Sequence, residues 1–421
     1  MSSRFNYGRI FLLGFGFFGV SVLNALYNSY VPNFLQSKFS LPSDIIGIFM
    51  ALDNIAALFI QPLVGVWSDR VRTSIGRRIP FILIGVPVSA VAFGFIPIAS
   101  ILPFFVASTT SFFLAMAFWR TPVVALMPDL TPSPNRSQAN GIINLMGGVG
   151  GIIAFLAGSS LYKINPALPF WVGSGLVIIA ALLVFVFIKE PMEYEETKEK
   201  QPGMIESLLE VVNDEDKSLL RILLAIFFWF LGFSAIEAFF TLYAKNHLGI
   251  PVEDGSRLLG HLSLFFVLFA LPSGLLGGRI GRRVTILSGI LLLAAVIFGI
   301  YISPIQILTT VLTKLPVLGE IPIISLFLMT AGIAWALINI NSLPMVVDMT
   351  SAARIGTFTG LYYLFSTLSA IAGPISNGAI IRLANNNYNI LMLFAPITLL
   401  IAFVMMLGVK RGEAQVMEPG N

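Results

Sequence analysis

Cysteine is absent from this sequence, and histidine occurs only as His247 and His261. The missing cysteines exclude disulfides, zinc–thiolate sites and thiol nucleophiles, and two histidines provide no set of metal ligands. Charged residues are also scarce, at 11% of 421 residues, against about 25% in a typical soluble domain. Because no acid–base–nucleophile set or metal constellation emerges from the remaining residues, we expect no enzyme activity and no cofactor.

Long apolar runs take the place of the missing charge. Hydrophobic residues make up 57% of the chain, and the mean hydropathy is +0.89. The apolar runs are long enough to cross ~30 Å of hydrocarbon as helices, and lipid-facing backbone groups must pair within their own segment. The sequence therefore predicts an all-α membrane protein with twelve transmembrane helices, at residues 8–35, 43–68, 79–97, 102–128, 137–162, 168–188, 219–245, 256–278, 283–303, 321–347, 355–382 and 389–409.

The lysines and arginines divide unevenly between the two sides of these spans. On the side of the N-terminus lie 18 of the 25, and six lie on the other side. Basic residues accumulate in cytoplasmic loops, so we expect both termini in the cytoplasm and a multi-pass protein of the cell (plasma or inner) membrane. The same rule accounts for the net charge of +4, and we expect no nucleic-acid partner.

Two loops carry amphipathic patterns. In the central segment 189–218 the pattern predicts a linker followed by a short helix in the cytoplasmic interface, with apolar residues at helical spacing: Ile205, Leu208, Leu209 and Val212. In the external segment 303–320 a similar spacing predicts a second interfacial helix or a kinked extension of a span. Its apolar residues are Ile305, Leu308, Val311, Leu312 and Leu315.

The two halves of the chain repeat one another. Residues 18–35 align with 231–248 without a gap at an offset of 213, with these identical pairs: Gly19/Gly232, Ser21/Ser234, Ala25/Ala238, Tyr30/Tyr243, Asn33/Asn246 and Leu35/Leu248. Two further regions match: the Gly-Arg-Arg of 76–78 with that of 281–283, and Asp129…Arg136 with Asp348…Arg354. We therefore predict two pseudo-symmetric six-helix bundles, 1–188 and 219–421, joined by 189–218, with a cavity between them near the bilayer midplane.

Three charged residues lie well inside predicted spans: Asp53, Arg120 and Glu237. A charge near the middle of a spanning helix costs roughly 2.5–3.5 kcal/mol on insertion scales, so such residues usually face a cavity or a partner. A carboxylate withdrawn from water is a plausible proton acceptor, and we expect Glu237, Asp53 and Arg120 to couple transport to protons. The alternative is a structural ion pair that holds helices together.

The first helix of each predicted bundle carries a polar stripe. Residues three and seven positions apart fall within a narrow sector of a helix, and both helices have polar residues at this spacing: Ser21, Asn24 and Asn28, and Ser234, Glu237 and Thr241. Such faces suit a hydroxyl-rich substrate. Hydrogen bonding between helices is the alternative.

These stripes, with other polar and aromatic residues of the spans, give a predicted substrate-binding set. Aromatic rings can stack on the apolar C–H faces of sugars, although core packing would explain the same rings. The set is Asn24, Asn28, Asn54, Gln61, Trp119, Arg120, Asn144, Glu237, Trp335, Asn339 and Tyr362.

A short basic turn separates the second and third spans. Its pattern, Gly65-x-x-x-Asp69-Arg70 followed by Gly76-Arg77-Arg78, resembles the cytoplasmic signature of the major facilitator superfamily. The longer segment from Ser68 to Ile82, together with Gln61-Pro-Leu-Val-Gly65, RTPVVALMPDLTP at 120–132 and Gly360-Leu-Tyr-Tyr, is similar to the sucrose-transporter-like sugar:proton symporters and to their bacterial branch in particular.

The resemblance implies a secondary active transporter of the major facilitator fold, with proton-coupled uptake of sucrose, maltose or a related glucoside or monosaccharide by alternating access. We expect a monomer in the lipid bilayer that binds a sugar and a coupling proton. One departure matters: the plant sucrose carriers have an aspartate and an arginine where this chain has Phe113 and Val124. The coupling site must then differ, with Glu237 or Asp53 as substitutes, or coupling is absent. The sodium-coupled melibiose-type carriers have aspartates at positions that read Ala57 and Gln61 here, which disfavours sodium.

The basic turn is interpreted as a conformational latch in which Asp69 pairs with neighbouring arginines while the cytoplasmic side is closed. The predicted gating set is Gly65, Asp69, Arg70, Arg77, Arg78, Asp129, Arg136, Asp348 and Arg354. The second-half echo, Gly278-Arg-Ile-Gly-Arg-Arg283, has no carboxylate at the place of Asp69, so we expect an asymmetric latch that depends mainly on the N-terminal half. The alternative is an anchor for anionic lipid.

Two other functions stay open on these residues. An export carrier for drugs or other metabolites would share the fold, and efflux of amphiphiles with no response to sugars would favour it. A non-transporting sugar sensor would bind its ligand but show no counterflow.

Overall fold

The computed structural model describes residues 7–131, 136–190, 204–350 and 354–413, with backbone alone at 136–138 and 204–207. Most of the predicted linker, 191–203, and the side chain of Arg136 therefore lie outside the described part. In chain order the helices and strands are α1 (Tyr7–Ser37), α2 (Ser43–Arg70), α3 (Ile79–Phe95), α4 (Leu102–Leu130), α5 (Arg136–Ile164), α6 (Leu168–Phe187), α7 (Met204–Asn213), α8 (Ser218–Asn246), α9 (Val252–Ile280), α10 (Arg282–Ile302), α11 (Ile305–Leu308), β1 (Val311–Leu315), β2 (Gly319–Pro322), α12 (Ile323–Val347), α13 (Ile355–Leu383) and α14 (Leu391–Leu407).

In the described residues, twelve helices are long and apolar enough to cross a membrane, namely all except α7 and α11. They correspond one to one with the predicted spans, and most ends differ by only a few residues. The all-α membrane fold with twelve spanning helices is therefore confirmed. It could be predicted because a spanning helix is recognised by its length and composition alone.

The chain divides into two compact units. Unit 1 comprises Met1–Glu196 with Gly249–Gly260, and unit 2 comprises Thr197–Leu248 with His261–Asn421. Unit 1 therefore includes the first turns of α9. Inside unit 1, α1 packs on α5 and α6, and α3 packs on α4 and α6. Inside unit 2, α8 packs on α13 and α14, and α10 packs on α12 and α14. Each of these four pairings in unit 1 has its repeat mate in unit 2, so the pseudo-symmetry predicted from sequence extends to the packing of these helices.

The repeat also extends to a specific close approach. A Cβ on Gly150 of α5 would lie 2.6 Å from the carbonyl oxygen of Phe18, and a Cβ on Gly373 of α13 would lie 2.5 Å from that of Leu231. Phe18 and Leu231 are repeat mates at the offset of 213. In both units a glycine thus lets the fifth helix of the half press against the backbone of the first, as small residues do between membrane helices.

The segment between α10 and α12 differs from its prediction. The expected interfacial helix over 303–320 is wrong, because only the four residues of α11 are helical and an antiparallel hairpin of β1 and β2 follows. β-Branched Val311 and Thr313 favour a strand, and Gly319 has φ of +74° at the end of the turn. The helix predicted in the central segment is confirmed as α7, while its contact with a membrane interface stays a prediction.

Candidate functional site: a polar cluster inside unit 1 and paired arginine clusters at the helix turns

The polar stripe of α1 borders accessible space. Between Ser21 and Tyr30, the half-exposed residues are Ser21, Asn24 and Asn28, and the others are buried. Burial of the intervening apolar side chains fixes the rotation of α1, and this leaves the three polar residues on its open face. The helix therefore places amide and hydroxyl groups where a polar substrate can reach them.

A polar cluster lies where α1, α2 and α4 approach one another. The Asn54 Nδ2 atom donates a hydrogen bond of 2.8 Å to Asp53 Oδ1, and the Arg120 side chain and the neutral Tyr27 hydroxyl lie within electrostatic range of the Asp53 carboxylate. Tyr27 is 2% exposed, and its hydroxyl has no hydrogen-bond partner among the described residues. An unpaired hydroxyl costs free energy when it is buried, so this one is suited to a ligand or a water.

Sequence analysis predicted Asp53, Asn54 and Arg120 as functional residues on two different spans but missed Tyr27. Its ring stacks on Phe112 at 5.9 Å and meets Phe113 edge-on at 5.0 Å, so packing explains the ring but not the hydroxyl. The available signal was position, because Tyr27 is one helical turn from Asn24 on the same helix.

On α8 the predicted stripe divides. Glu237 is exposed, whereas Ser234 and Thr241 are buried. The Ser234 hydroxyl donates to the Phe230 carbonyl at 2.6 Å. It also lies 3.2 Å from the backbone carbonyl oxygen of Ser369, so it joins α8 to α13. The expectation of a continuous polar face on α8 is therefore wrong, because helix packing rotates Ser234 and Thr241 into the core.

Aromatic rings surround the open face of α8. The rings of Phe233 and Trp335 stack with centroids 3.8 Å apart and planes inclined by 3°. Phe230 meets Trp335 edge-on at 5.2 Å, and Tyr362 shares a 3.0 Å hydrogen bond with Ser342. Because Phe233 covers one face of Trp335, sugar stacking on that face would require Phe233 to move. Binding by Trp335 and Tyr362 stays a prediction.

The remaining predicted binding residues are dispersed. Trp119 is 1% exposed and packs against Gly85 of α3, so it lies in the interior of unit 1. Asn144 is exposed, and its amide donates to the Asn140 carbonyl at 2.8 Å. Gln61 and Asn339 are half-buried on α2 and α12.

The α2–α3 turn holds an arginine cluster centred on Asp129 of α4. Arg77 Nη2 lies 2.6 Å from Asp129 Oδ1, and Arg78 Nε lies 3.1 Å from Asp129 Oδ2. Arg78 also pairs with Asp69 and donates to Ser68. The Asp69 side chain is 54% exposed and that of Asp129 is 14% exposed, so Asp129 is the more enclosed of the two carboxylates.

Glu190, which sequence analysis missed, completes this cluster. Its side chain is fully buried and accepts hydrogen bonds from the backbone N–H groups of Arg78 at 2.8 Å and Ile79 at 3.3 Å. A carboxylate at the start of α3 satisfies orphan donors and complements the helix dipole. Gly76 has φ of +114°, and a Cβ there would overlap Glu190. The glycine is therefore required both by the backbone angle and by the buried carboxylate.

Unit 2 repeats most of this arrangement. Glu413 accepts from the backbone N–H groups of Arg282 at 2.7 Å and Arg283 at 3.0 Å, beside Gly281 at φ of +95°. Arg282 pairs with Asp348, as Arg77 pairs with Asp129. Unit 2 therefore has its own aspartate and glutamate partners, and the expectation that the latch depends mainly on the N-terminal half stays a prediction. Two asymmetries remain: Asp69 has no counterpart, and Arg283 donates to the carbonyls of Met406 and Leu407, whereas Arg78 pairs with Asp129.

The other predicted gating residues have different surroundings. Arg354 forms two hydrogen bonds of 2.6 Å with Glu210 of α7, which join α7 to the start of α13. Hydrogen bonds from Arg354 lower the pKa of Glu210 below its ordinary value.

Arg70 is exposed, and Gly65 faces Thr121 of α4, whose methyl group lies 3.6 Å from the place that a Cβ on Gly65 would take.

A family model confirms what the fold and these clusters indicate. The model of the Major Facilitator Superfamily matches residues 13–374. The chain therefore belongs to the Major Facilitator Superfamily, and it is a multi-pass membrane transporter rather than an enzyme.

Relatives of known name fall into two groups. Multidrug resistance protein 2 of Bacillus subtilis (strain 168) is 24% identical over 258 residues, which are 60% of this chain and 62% of that protein. Sucrose transport protein SUC3 of Arabidopsis thaliana is 28% identical over 128 residues, 25% of this chain and 22% of that protein. The chain thus matches less than two thirds of the length of either relative.

Solved structures share the fold over almost the whole length. A bacterial homolog to the human lysosomal transporter Spinster superposes with a TM-score of 0.73 at 14% identity, over 97% of this chain and 98% of that chain. The nucleoside transporter NupG superposes with a TM-score of 0.72 at 14% identity, over 96% of this chain and 100% of that chain. At this identity the likeness concerns architecture alone.

Proposed function

We propose that the protein is a secondary active carrier that takes up a sugar together with protons by alternating access. The observation that carries this proposal is the polar cluster of Tyr27, Asp53, Asn54 and Arg120 in unit 1. A sugar hydroxyl can donate to a carboxylate and accept from an amide, a guanidinium or a phenol, so this cluster suits a polyhydroxylated substrate. The partial similarity to plant sucrose transport proteins supports the same substrate class.

Asp53 is the proposed proton acceptor, with Glu237 as a second carboxylate in the transport path. While Asp53 is ionised it attracts Arg120, since opposite charges interact strongly away from bulk water. Protonation removes that attraction and makes the guanidinium donors of Arg120 available to a substrate. Binding of a proton and binding of a sugar then favour each other, which is the coupling that symport requires.

The arginine clusters are the proposed gating elements. In this proposal residues 1–188 and 219–421 act as two moving bundles joined by 189–218, with both termini in the cytoplasm of a monomeric carrier in the cell membrane. The Asp129 cluster and the Asp348 pair stabilise one arrangement of the ends of α2, α3 and α4 and of α9, α10 and α12. Their rearrangement accompanies opening.

Export of drugs or other metabolites is the second candidate. It is favoured by one finding, the 24% identity to multidrug resistance protein 2 across 60% of this chain. The polar stripe of α1 argues for the sugar, because amphiphilic drugs are bound mainly through apolar and aromatic contacts.

Counterflow of labelled sugars into proteoliposomes tests the proposed substrate class. We expect exchange for at least one of sucrose, maltose and their monosaccharides. Sugar binding without counterflow would instead identify a sensor, and no binding together with efflux of amphiphilic cations would identify an exporter. Either result would contradict the proposed function.

Tyr27→Phe tests the proposed site. Loss of one hydrogen bond of about 1 kcal/mol should weaken sugar binding about fivefold. Thermal stability should stay unchanged, since the hydroxyl has no protein partner in the described residues. Tyr243→Phe is the control, because the Tyr243 hydroxyl is equally buried and unpaired but lies on α8 in unit 2. Equal effects of the two variants on binding would remove Tyr27 from the site.

A further inference from the structure

The hairpin between α10 and α12 has two chemically different faces. Cross-strand pairing places Lys314 opposite Glu320, and their side chains form an exposed ion pair at 3.5 Å. Leu315 lies on the other face with Ile321, because side chains alternate along a strand. Leu315 is 43% exposed and Val317, in the turn, is 76% exposed. One face therefore carries the ion pair, and the other, called the apolar face, has Ile321 buried and Leu315 and Thr313 exposed.

Unit 2 holds the hairpin firmly at its base. Leu308 and Ile321 are buried, and the Ile323 N–H donates to the Thr310 carbonyl at 3.0 Å. His261 of α9 is fully buried, and its ring nitrogens lie 3.1 Å from the Ser325 hydroxyl and 3.0 Å from the Leu318 carbonyl. The hairpin turn is thus fixed to α9 and α12, so the exposure of Val317 is not a consequence of a loose loop.

The uncovered apolar face continues a lipid-facing surface. Exposed apolar residues follow one stripe along the whole length of α10, at Val284, Leu291, Phe298 and Ile302. A spanning helix with such a stripe faces hydrocarbon, because a water-filled cavity would be lined by polar groups. Ile305 and Ile307 are also exposed and extend the apolar surface into α11, towards the hairpin.

The two-stranded sheet limits how deep the hairpin can lie. Each strand has an unpaired edge, and open edges do not occur in hydrocarbon because their backbone groups would lose their hydrogen bonds. In water, however, an exposed apolar hairpin with open edges would be prone to association with other chains. The headgroup region satisfies both requirements, because water reaches the edges there while the apolar side chains reach the acyl chains.

We propose that the hairpin of β1 and β2 lies in the headgroup region of the leaflet at the α10–α12 end, with Leu315 and Val317 against the acyl chains and the Lys314–Glu320 pair towards water. The occupant of the apolar face is lipid, and the hairpin fixes the depth of unit 2 in the membrane. Since Lys314 is paired with Glu320, the contact is apolar and does not require anionic lipid.

The cysteine-free sequence allows a direct test by site-directed spin labelling of the full-length chain. Leu315→Cys reports on the apolar face, Val317→Cys reports on the turn beside it, and Glu320→Cys is the matched control on the charged face. Labelled protein, one copy per phosphatidylcholine nanodisc, is measured by power saturation with oxygen and with a water-soluble nickel chelate. We expect several-fold lower nickel accessibility at positions 315 and 317 than at 320, together with higher oxygen accessibility.

Equal nickel accessibility at all three positions would place the hairpin in water and overturn the proposal. Shielding of positions 315 and 317 from both reagents would mean that protein covers the face. Spin–spin broadening that appears only when several copies share a vesicle would identify a second copy as the occupant. Either of these results also contradicts lipid contact.

Discussion

Glu190 shows how a residue's role can depend on contacts that the sequence does not display. It follows an apolar span and precedes a charged linker, so in sequence it has the pattern of a solvent-exposed acid. In the fold it is fully buried beneath Gly76 and bonded to the first N–H groups of α3. Only the second half gave a hint, because Glu413 stands just after α14 as Glu190 stands just after α6.

Glu190→Gln should destabilise the protein. The amide can keep its oxygen on both α3 N–H groups, but it removes the negative charge beside Arg77 and at the start of α3, so the free energy of unfolding should fall by about 1–2 kcal/mol. Glu413→Gln is the control, since Glu413 is exposed, and its loss should be smaller. Melting temperatures of the purified variants in one detergent would measure both. Equal shifts, or a larger shift for Glu413→Gln, would contradict the assigned role.

Intramembrane charge was the most useful residue-level signal. Asp53 and Arg120 were selected only because charges are rare in spans, and the structure brings them within electrostatic range. The aromatic residues were less informative. Sequence cannot reveal that Phe233 covers a face of Trp335, because any aromatic ring suits both packing and sugar binding.

At the scale of elements, the spanning helices could be predicted from the sequence, whereas the connections between them were ambiguous. A spanning helix satisfies its own backbone hydrogen bonds, so the twelve spanning helices could be predicted from composition. The structure of the 303–320 segment could not be predicted in this way, because the spacing of its apolar residues fits both a helix and a strand. The threonines favour a strand, and Pro316 and Gly319 favour a turn, so local conformational preference produces a hairpin here.

The turn clusters predict a ranking among aspartates. Asp129 accepts from both Arg77 and Arg78, whereas Asp69 is more exposed and pairs mainly with Arg78. Asp129→Asn should therefore slow transport more than Asp69→Asn, while sugar binding largely survives in both. Initial uptake rates and equilibrium binding measured on the same preparations would separate these effects. A slower Asp69→Asn variant, or lost binding in either, would argue against gating by this cluster.

The attachment of α7 should depend on pH in one direction. Arg354 lowers the pKa of Glu210, so the attachment is complete above the ordinary value of about 4.3 and is lost as the pH falls through the lowered value. A spin label at Val212→Cys should be immobilised at neutral pH and become mobile only in acid. Glu210→Gln should make it mobile at every pH.

Glu215→Gln is the matched control for α7. Glu215 is exposed and forms no ion pair in the described residues, so the label should keep the wild-type profile. A label that is equally mobile in wild type and Glu210→Gln at neutral pH would show that the Glu210–Arg354 pair does not hold α7.

At the scale of the whole molecule, the internal repeat was the strongest guide. It indicated two equivalent bundles, and the packing of α1 on α5 and α6 recurs in that of α8 on α13 and α14. The repeat did not indicate how the halves differ. The half-exposed stripe of α1 is polar, whereas the neighbours of Glu237 on the open face of α8 are phenylalanines, because packing selects the rotation of each helix separately.

The proposed division of labour therefore differs between the halves. Unit 1 contributes the polar cluster around Asp53, and unit 2 contributes a single carboxylate, Glu237, beside aromatic rings. If Asp53 couples proton to sugar, Asp53→Asn should retain sugar counterflow, which needs no gradient, and lose accumulation. Glu237→Gln with wild-type accumulation would remove Glu237 from the coupling mechanism.

Sugar accumulation driven by a pH gradient in proteoliposomes tests the central proposal most directly. With the sugar on the acidic side, we expect wild-type protein to concentrate it inside, a protonophore to abolish the concentration step, and Asp53→Asn to equilibrate sugar without concentrating it. Transport that neither needs nor collapses the proton gradient, with Asp53→Asn indistinguishable from wild type, would contradict proton-coupled uptake.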